Sequence, residues 1–571
     1  MIQKEYLNQK FRIKIFSFVF VFIFGVIIFK LFEVQVVKGK YYQSLAENQH
    51  WVTRKIPAER GKIYTQDIKT GEKFVLATNK KLDMVYAVPK QIKDKKKVSA
   101  DLADILSMEK DEIFSIIDNE KLYAPIKHKL SDEEVRRIEE SKTLDGILLK
   151  EEQWREYPEI TLASNVVGFV NNEGKGNYGI EGYFNDDLLG KSGEISSERD
   201  ATGRPIVVGG KSEELVENGK NIVLTIDRTI QSFAEKELRD TIDKFSSPAG
   251  SITVMDPNTG EILAMANYPN YDPNVFNEVE DASVFKNQVV SGIYEPGSIF
   301  KIFTEAAGLD SGKITPSMTY NDTGSYQVGS HVIQNATGKA FGTQTMTQVL
   351  EQSLNTGTCF IKDQIGNEPF YNYIVKFGFG QKTGIGLVGE ALPNLSPVTS
   401  WRDINFATAS FGQGVAVTPI QFIQAAAAIA NGGELVQPRI ISEFVLSDGS
   451  RVKPEVKPKT RIIKKEAASQ AGAMMVSVVE RGHGKAAGVK GYRIAGKTGT
   501  AQVPNPDGGY YSDKTIGSFI SFGPAENPKF IILVRIDEPK GVQWAESTAA
   551  PAAGRLAKKI LEYMEISPTA N

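Results

Sequence analysis

The sequence predicts an α+β protein in three parts: an N-terminal transmembrane helix, a mixed middle region, and a larger C-terminal domain with a mixed sheet flanked by helices. Three observations predict it. Residues Ile15 to Phe29 carry no charge. Strand-like runs open and close the region after Asn221, with a helical stretch between them. Ser298 and Lys301 stand three residues apart at the start of a helical pattern inside that region, where positions i and i+3 share a face. At 571 residues the chain is too long for one ordinary domain.

The apolar run comes first. Fifteen residues at about 1.5 Å each fall short of a hydrocarbon core of roughly 30 Å. Counting on to Val37, with Lys30 snorkelling and Glu33 near the interface, gives ample length. Lys4, Lys10, Arg12 and Lys14 precede the run, which predicts a cytoplasmic N-terminus and a single pass. A cleaved signal peptide is the rival, but the small-x-small site Ser44-Leu45-Ala46 lies too far beyond the run.

In the middle region, Arg60-Gly61-Lys62-Ile63-Tyr64 reads as a turn entering a strand, and Ala100 to Ile117 has helical spacing. Lys95-Lys96-Lys97 reads as a solvated surface loop. Ile222 to Asp227 is a strand by its β-branched run, and Gln231 to Leu238 a helix. Ser251 to Met255, a turn at Asp256-Pro257-Asn258-Thr259-Gly260, and Glu261 to Ala266 form a hairpin. Ile516 to Phe522 and Phe530 to Ile536 are two late strands, and Ala549 to Met564 a terminal helix.

Composition excludes several classes. With 67 basic against 69 acidic residues there is no bulk affinity for nucleic acid. One cysteine, Cys359, rules out an intrachain disulfide and is expected to pack as a small apolar residue. The four histidines (His50, His128, His331, His483) lack ligand spacing, which argues against zinc, and no cofactor is expected.

The chemistry rests on three motifs in order: Ser298-Ile299-Phe300-Lys301, Ser353-Leu354-Asn355 and Lys497-Thr498-Gly499-Thr500. A serine hydroxyl needs a neighbouring base, and lysine serves only if burial or nearby positive charge lowers its pKa. With Glu295-Pro296-Gly297 before the first motif and Ala501-Gln502 after the third, the chain resembles the penicillin-binding proteins. Arg60 to Tyr64, Arg155-Glu156-Tyr157-Pro158 and Tyr178-Gly179-Ile180-Glu181-Gly182 resemble pedestal motifs of class B, the monofunctional transpeptidases. They are expected to be turns and packing contacts without catalytic duty. Nothing resembles a glycosyltransferase domain.

The resemblance implies a cytoplasmic tail (1–14), a transmembrane anchor (15–37), an elongated pedestal (38–220) and a transpeptidase domain of the penicilloyl-serine transferase, β-lactamase-like fold (221–571). It implies a peptidoglycan D,D-transpeptidase of the bacterial cytoplasmic membrane, with its catalytic domain outside. Ser298 would attack the bond between two D-alanines of a stem peptide, Lys301 would be the base, and Ser353 would relay a proton. Asn355 would hold the substrate amide. Lys497 would favour neutral Lys301 and attract the terminal carboxylate, to which Thr498 and Thr500 offer hydroxyls. Gly499 would let the peptide lie close to the strand. The backbone N–H groups of Ser298 and Thr500 would be oxyanion donors, each worth about 2.7–4 kcal/mol.

Expected partners are stem peptides, β-lactams, the membrane, a glycan polymerase of the shape, elongation, division and sporulation family, and other division proteins. The segment Arg199 to Ile206, with the overall length, resembles the division type more closely, with side-wall elongation as the alternative. A β-lactamase, a D,D-carboxypeptidase or a β-lactam receptor shares the motifs but does not explain the pedestal or the short tail. Two decoys complete the reading. Lys382-Thr383-Gly384 is expected to be a loop, and Glu390 to Asn394 resembles the Glu-x-x-x-Asn loop of class A β-lactamases.

Overall fold

The computed structural model describes residues 2–42, 51–141, 143–198, 211–505 and 508–568. Ser44-Leu45-Ala46 and the segment 199–206 lie outside them. The chain forms two compact units, one of residues 1–59 with 190–218 and one of 60–189 with 219–571.

In the first unit a helix runs over Ile2–Phe32 and continues as one wider turn over Glu33–Val37. Phe11–Val37 is long and apolar enough to cross a membrane. Trp51–Ile56, Gly193–Glu198 and Lys211–Glu214 make a separate antiparallel sheet.

The second unit holds two large sheets. In one, Asn221–Asp227 pairs in parallel with Ile63–Gln66 (Ile222 opposite Ile63) and antiparallel with Ile441–Val445. Lys73–Ala87 continues this sheet and carries Ile147–Glu156 along ten residue pairs. Strands on both sides of position 220 therefore share one hydrogen-bonded ladder. Beside it, Ala100 to Ile117 is two helices, Lys95–Leu106 and Lys110–Ile117. The break falls at Ser107, whose φ of 53° ends the first helix in a left-handed cap. Lys95-Lys96-Lys97 is not a loop. It is the first turn of that helix, started by Asp94, whose carboxylate accepts the Lys97 N–H at 3.0 Å.

The three pedestal motifs meet in one buried cluster. Glu181, fully buried, accepts from Arg60 Nε at 2.8 Å and from Arg155 Nε at 2.6 Å. Arg60 Nη1 also reaches Asn185 Oδ1 at 3.1 Å, and Arg155 Nη1 reaches Asn79 Oδ1 at 2.9 Å. An ion pair removed from water needs this kind of added hydrogen bonding to be tolerated.

The second sheet comprises β1 (Ala249–Met255), β2 (Ile262–Tyr268), β3 (Ala495–Pro504), β4 (Tyr510–Gly523) and β5 (Phe530–Asp537). Its order is β2-β1-β5-β4-β3, all antiparallel, so β3 is an edge. The relevant helices are α1 (Arg228–Phe245), α2 (Lys301–Asp310), α3 (Asn355–Ile365), α4 (Pro419–Ala430), α5 (Lys465–Glu480) and α6 (Ala549–Tyr563). Alternation along β5 explains the layers. Ile531 and Leu533 enter a core shared with α2, α4 and α5, while Ile532, Val534 and Ile536 enter one shared with α1 and α6. Helix α2 lies inside the first of these cores, with every residue from Lys301 to Leu309 buried.

Candidate active site

Ser298 sits on a short 3-10 turn, Gly297–Phe300, that leads into α2 at Lys301. Gly297 adopts φ +57° and donates its N–H to Gly412 O at 3.1 Å. A Cβ there would stand 3.2 Å from both Thr500 O and Ala501 Cβ, so glycine lets the turn lie against β3. Ser353 has φ 57°, which is costly for a residue with a Cβ. That backbone turns its side chain back between two lysines.

The two lysines organise the site. Lys301 Nζ contacts Ser353 O at 2.5 Å, Asn355 Oδ1 at 2.8 Å and Ser353 Oγ at 3.3 Å. Lys497 Nζ, arriving from β3, donates to Ser353 Oγ at 2.9 Å and to Thr498 O at 2.8 Å. Neither side chain is exposed. Burial, and after it the charge of Lys497, pushes Lys301 well below the ordinary lysine range. Burial alone lowers Lys497 to about 7. A neutral amine has two hydrogens and one lone pair. Ser353 O and Asn355 Oδ1 can only accept, so they take both hydrogens of neutral Lys301 and leave its lone pair for a hydroxyl.

Above them opens a cleft of about 610 Å³, lined by Ser298, Ser353, Asn355, Thr498 and Thr500 among others. The structure thus brings the three motifs to one place, with four differences from expectation. Lys301 Nζ makes no hydrogen bond with Ser298 Oγ; its donors are drawn to Ser353 and Asn355 instead. Asn355 is engaged within the protein, its amide oxygen on Lys301 and its Nδ2 on Gln334 O at 2.9 Å. Lys497 lies beneath the cleft floor rather than facing a substrate carboxylate, because its Nζ is spent on Ser353 and Thr498. Gly499 is needed for another reason. Its Cβ would stand 2.9 Å from Ile299 N and 2.8 Å from Ser518 Oγ, so the Ser298 turn itself fills the space.

The decoys resolve simply. Lys382-Thr383-Gly384 is loop, and Glu390 Oε1 accepts from Thr383 N at 2.6 Å and Thr383 Oγ1 at 2.7 Å. Glu390 is not among the cleft's lining residues. Cys359 is buried beside Ala407 and Ser410, and burial raises its thiol to about 11. Sequence reading missed Glu305, one turn past Lys301, fully buried with neither carboxyl oxygen hydrogen-bonded. Burial raises it well above the carboxylate range, against the opposing pull of Lys301. Its i+4 spacing from Lys301 was the available signal. Also missed were His483 and Glu546 on the cleft wall, 63 positions apart and without any local signature.

A serine set over two buried, proton-poor amines beside an edge strand is the equipment of a serine acyltransferase that binds peptides. The chain belongs to the class B penicillin-binding proteins. Residues 250–562 match the penicillin-binding protein transpeptidase domain, and residues 55–224 match the penicillin-binding protein dimerisation domain. It is a peptidoglycan D,D-transpeptidase. It is 35% identical to stage V sporulation protein D of Bacillus subtilis, over 97% of this chain and 86% of that protein. It is 31% identical to peptidoglycan D,D-transpeptidase FtsI of Escherichia coli, over 87% and 83%. Penicillin-binding protein 3 of Mycobacterium tuberculosis, in complex with aztreonam, superposes with a TM-score of 0.70 at 27% identity, covering 90% of this chain and 99% of that one.

Proposed function

We propose that this enzyme crosslinks stem peptides through an acyl-Ser298 intermediate, in septal wall synthesis, and that β-lactams inhibit it by acylating the same serine. The observation that carries the reading is the convergence of two buried lysine amines on Ser353 Oγ beside Ser298. Lys301, neutral, takes the Ser298 proton as Oγ attacks the carbonyl between the two D-alanines. Apo geometry in such sites is often loose and tightens with substrate, which suits a Lys301 whose hydrogen bonds go to Ser353 and Asn355 rather than to Ser298. The proton passes by way of Ser353 to the leaving D-alanine amine. Asn355 holds the substrate amide after giving up one of its internal contacts. Thr498 and Thr500 receive the terminal carboxylate, with Lys497 supplying charge from below. The Ser298 and Thr500 N–H groups hold the oxyanion. The amine of a second stem peptide then attacks the ester and releases Ser298.

The anchor over 15–37 sets the N-terminus in the cytoplasm, and the pedestal (38–220) carries the transpeptidase domain (221–571) outside. A membrane glycan polymerase is the natural partner, since the acyl transfer at Ser298 joins peptides and makes no glycan strand. The septal assignment rests on the segment Arg199 to Ile206 together with the overall length of the chain.

Labelling with fluorescent penicillin tests the site. A stable adduct that maps to Ser298 and is lost in Ser298→Ala and Lys301→Ala is expected; rapid turnover of the adduct would point to a β-lactamase instead. Imaging a fluorescent fusion tests the cellular role, and a signal spread along the side wall with none at midcell would overturn the septal assignment.

A further inference from the structure

The cleft wall carries a second polar pair that the chemistry above does not use. His483 Nδ1 lies 2.9 Å from Glu546 Oε2. Both residues line the same cleft as Ser298, and Glu546 is the only carboxylate among the lining residues. Each is held in place from behind. His483 follows α5, donates its backbone N–H to Glu351 O at 3.3 Å, and neighbours Arg481, whose Nε reaches Glu351 Oε1 at 3.1 Å. Glu546 lies on the 3-10 turn Ala545–Ser547, whose first N–H donates to Thr500 Oγ1 at 3.1 Å. The pair is thereby tied to the Lys-Thr-Gly-Thr strand at one remove. The two side chains are 46% and 44% exposed, open to a molecule entering the cleft.

When the imidazole is neutral, a carboxylate that only accepts hydrogen bonds takes the hydrogen of Nδ1, which leaves the lone pair on Nε2. A carboxylate that fixes a histidine tautomer in this way is the arrangement of a general base. We propose that the His483–Glu546 pair receives the amine of the second stem peptide, so that the ligand class of this subsite is a primary ammonium. The proposal rests on the reading of Ser298 as the acylated residue.

The chemistry needs such a group. An amine reaches the cleft protonated and cannot attack an ester until it is neutral. Glu546 attracts the cation, and His483 Nε2 removes one proton. The nitrogen then attacks the ester carbonyl, the amide bond forms, and the ester bond to Ser298 breaks. The amine's surplus proton goes to Ser298 Oγ, and the imidazolium returns its own to solvent. No oxidant or further reactant is needed.

The test follows the fate of the acyl group in the full-length enzyme in detergent. A D-alanyl thioester serves as donor, and Nα-blocked lysine and methanol compete with water as acceptors. Amide, methyl ester and free acid are then counted. Methanol carries no charge to recognise and serves as the internal reference. In Glu546→Gln and in His483→Asn the amide-to-ester ratio should fall about tenfold, the worth of one charge-assisted contact. An unchanged ratio in both variants overturns the proposal. So does a parallel fall of amide and ester against acid, which would make the pair a support for the cleft rather than an amine site. If the unaltered enzyme forms no adduct on Ser298 with penicillin, the reading beneath fails first, and this one with it.

Discussion

Replacing Lys497 with methionine keeps an unbranched side chain, one atom shorter, and removes its charge together with its contacts to Ser353 and Thr498. Lys497 Nζ and Lys301 Nζ lie 2.9 Å and 3.3 Å from the same Ser353 Oγ. The two amines are therefore at most about 6 Å apart, where two ammonium charges repel by about 3 kcal/mol or more at an effective dielectric constant of about 20. That energy equals about two pH units in the proton affinity of Lys301. The sign follows from which state is penalised. Repulsion disfavours the doubly charged site, so removing Lys497 lets Lys301 hold its proton to higher pH. Lys497 titrates at about 7, so its charge is present through the acid range in which the effect is read. The acid limb of Ser298 acylation should therefore move towards alkaline pH in Lys497→Met, by about two pH units. The assay is the second-order rate of labelling by fluorescent penicillin from about pH 4 to pH 9, in the range where a general base reports its titration. The position of the limb is read rather than its height, since losing the contact with Ser353 lowers the plateau as well. An acid limb at the same pH in both proteins would refute the coupling.

Four further outcomes are expected. Because Lys497 titrates at about 7 when folded and at 10.5 as its reference value, unfolding takes up a proton between those limits. The urea stability of the wild type should rise with pH relative to Lys497→Met in that window, by up to about 1.4 kcal/mol per pH unit; a flat difference would count against the burial of a proton-poor amine. Gly499→Ala pushes a methyl group against Ile299 N and should slow penicillin labelling about a hundredfold, with the melting temperature little changed. Glu181→Gln leaves two buried guanidinium groups without their counter-charge and should cost about 3 kcal/mol in urea denaturation, where a loss under about 1 kcal/mol would mean that water reaches the cluster. Glu390→Gln should leave the lifetime of the penicilloyl adduct unchanged, because Glu390 is bound to the 383–384 backbone; a lifetime that lengthens would give it the hydrolytic role.

What could be read in the sequence was what is encoded locally. Ser298 and Lys301 are three residues apart, and β-branched runs mark Asn221–Asp227 and Phe530–Asp537, so these emerged from spacing and side-chain type. The edge position expected for Lys497 is the one β3 occupies. Spacing could not say where Lys301 would point. Its amine turns to Ser353 and Asn355 because α3 begins where those acceptors converge, a matter of tertiary packing. The same limit hid the reason for Gly499, which depends on a turn 200 positions earlier, at Ile299. It also hid the pairing of His483 with Glu546. The misreading of Lys95-Lys96-Lys97 had a different source. Three lysines look like a solvated loop, but lysine is a good helix former, and Asp94 supplied the start. Glu305 shows the reverse case, a charge-bearing residue placed where the helix is buried all round.

The ladder between Ile63–Gln66 and Asn221–Asp227 bears on how a soluble fragment should be cut. Expressing the chain from residue 221 onward would strip a β-strand of its parallel neighbour and leave an open, apolar edge, a known route to aggregation. A fragment beginning at Arg60 keeps that edge covered. The excursion over 190–218 can then be deleted, for it departs and returns at nearly one point: Leu188 O accepts the Gly61 N–H at 2.8 Å, and a Cβ on Gly219 would stand 1.7 Å from that same oxygen. Two or three glycines would close the gap. The boundary useful for expression is thus set by strand pairing, about 160 residues before the position where the first catalytic strand begins.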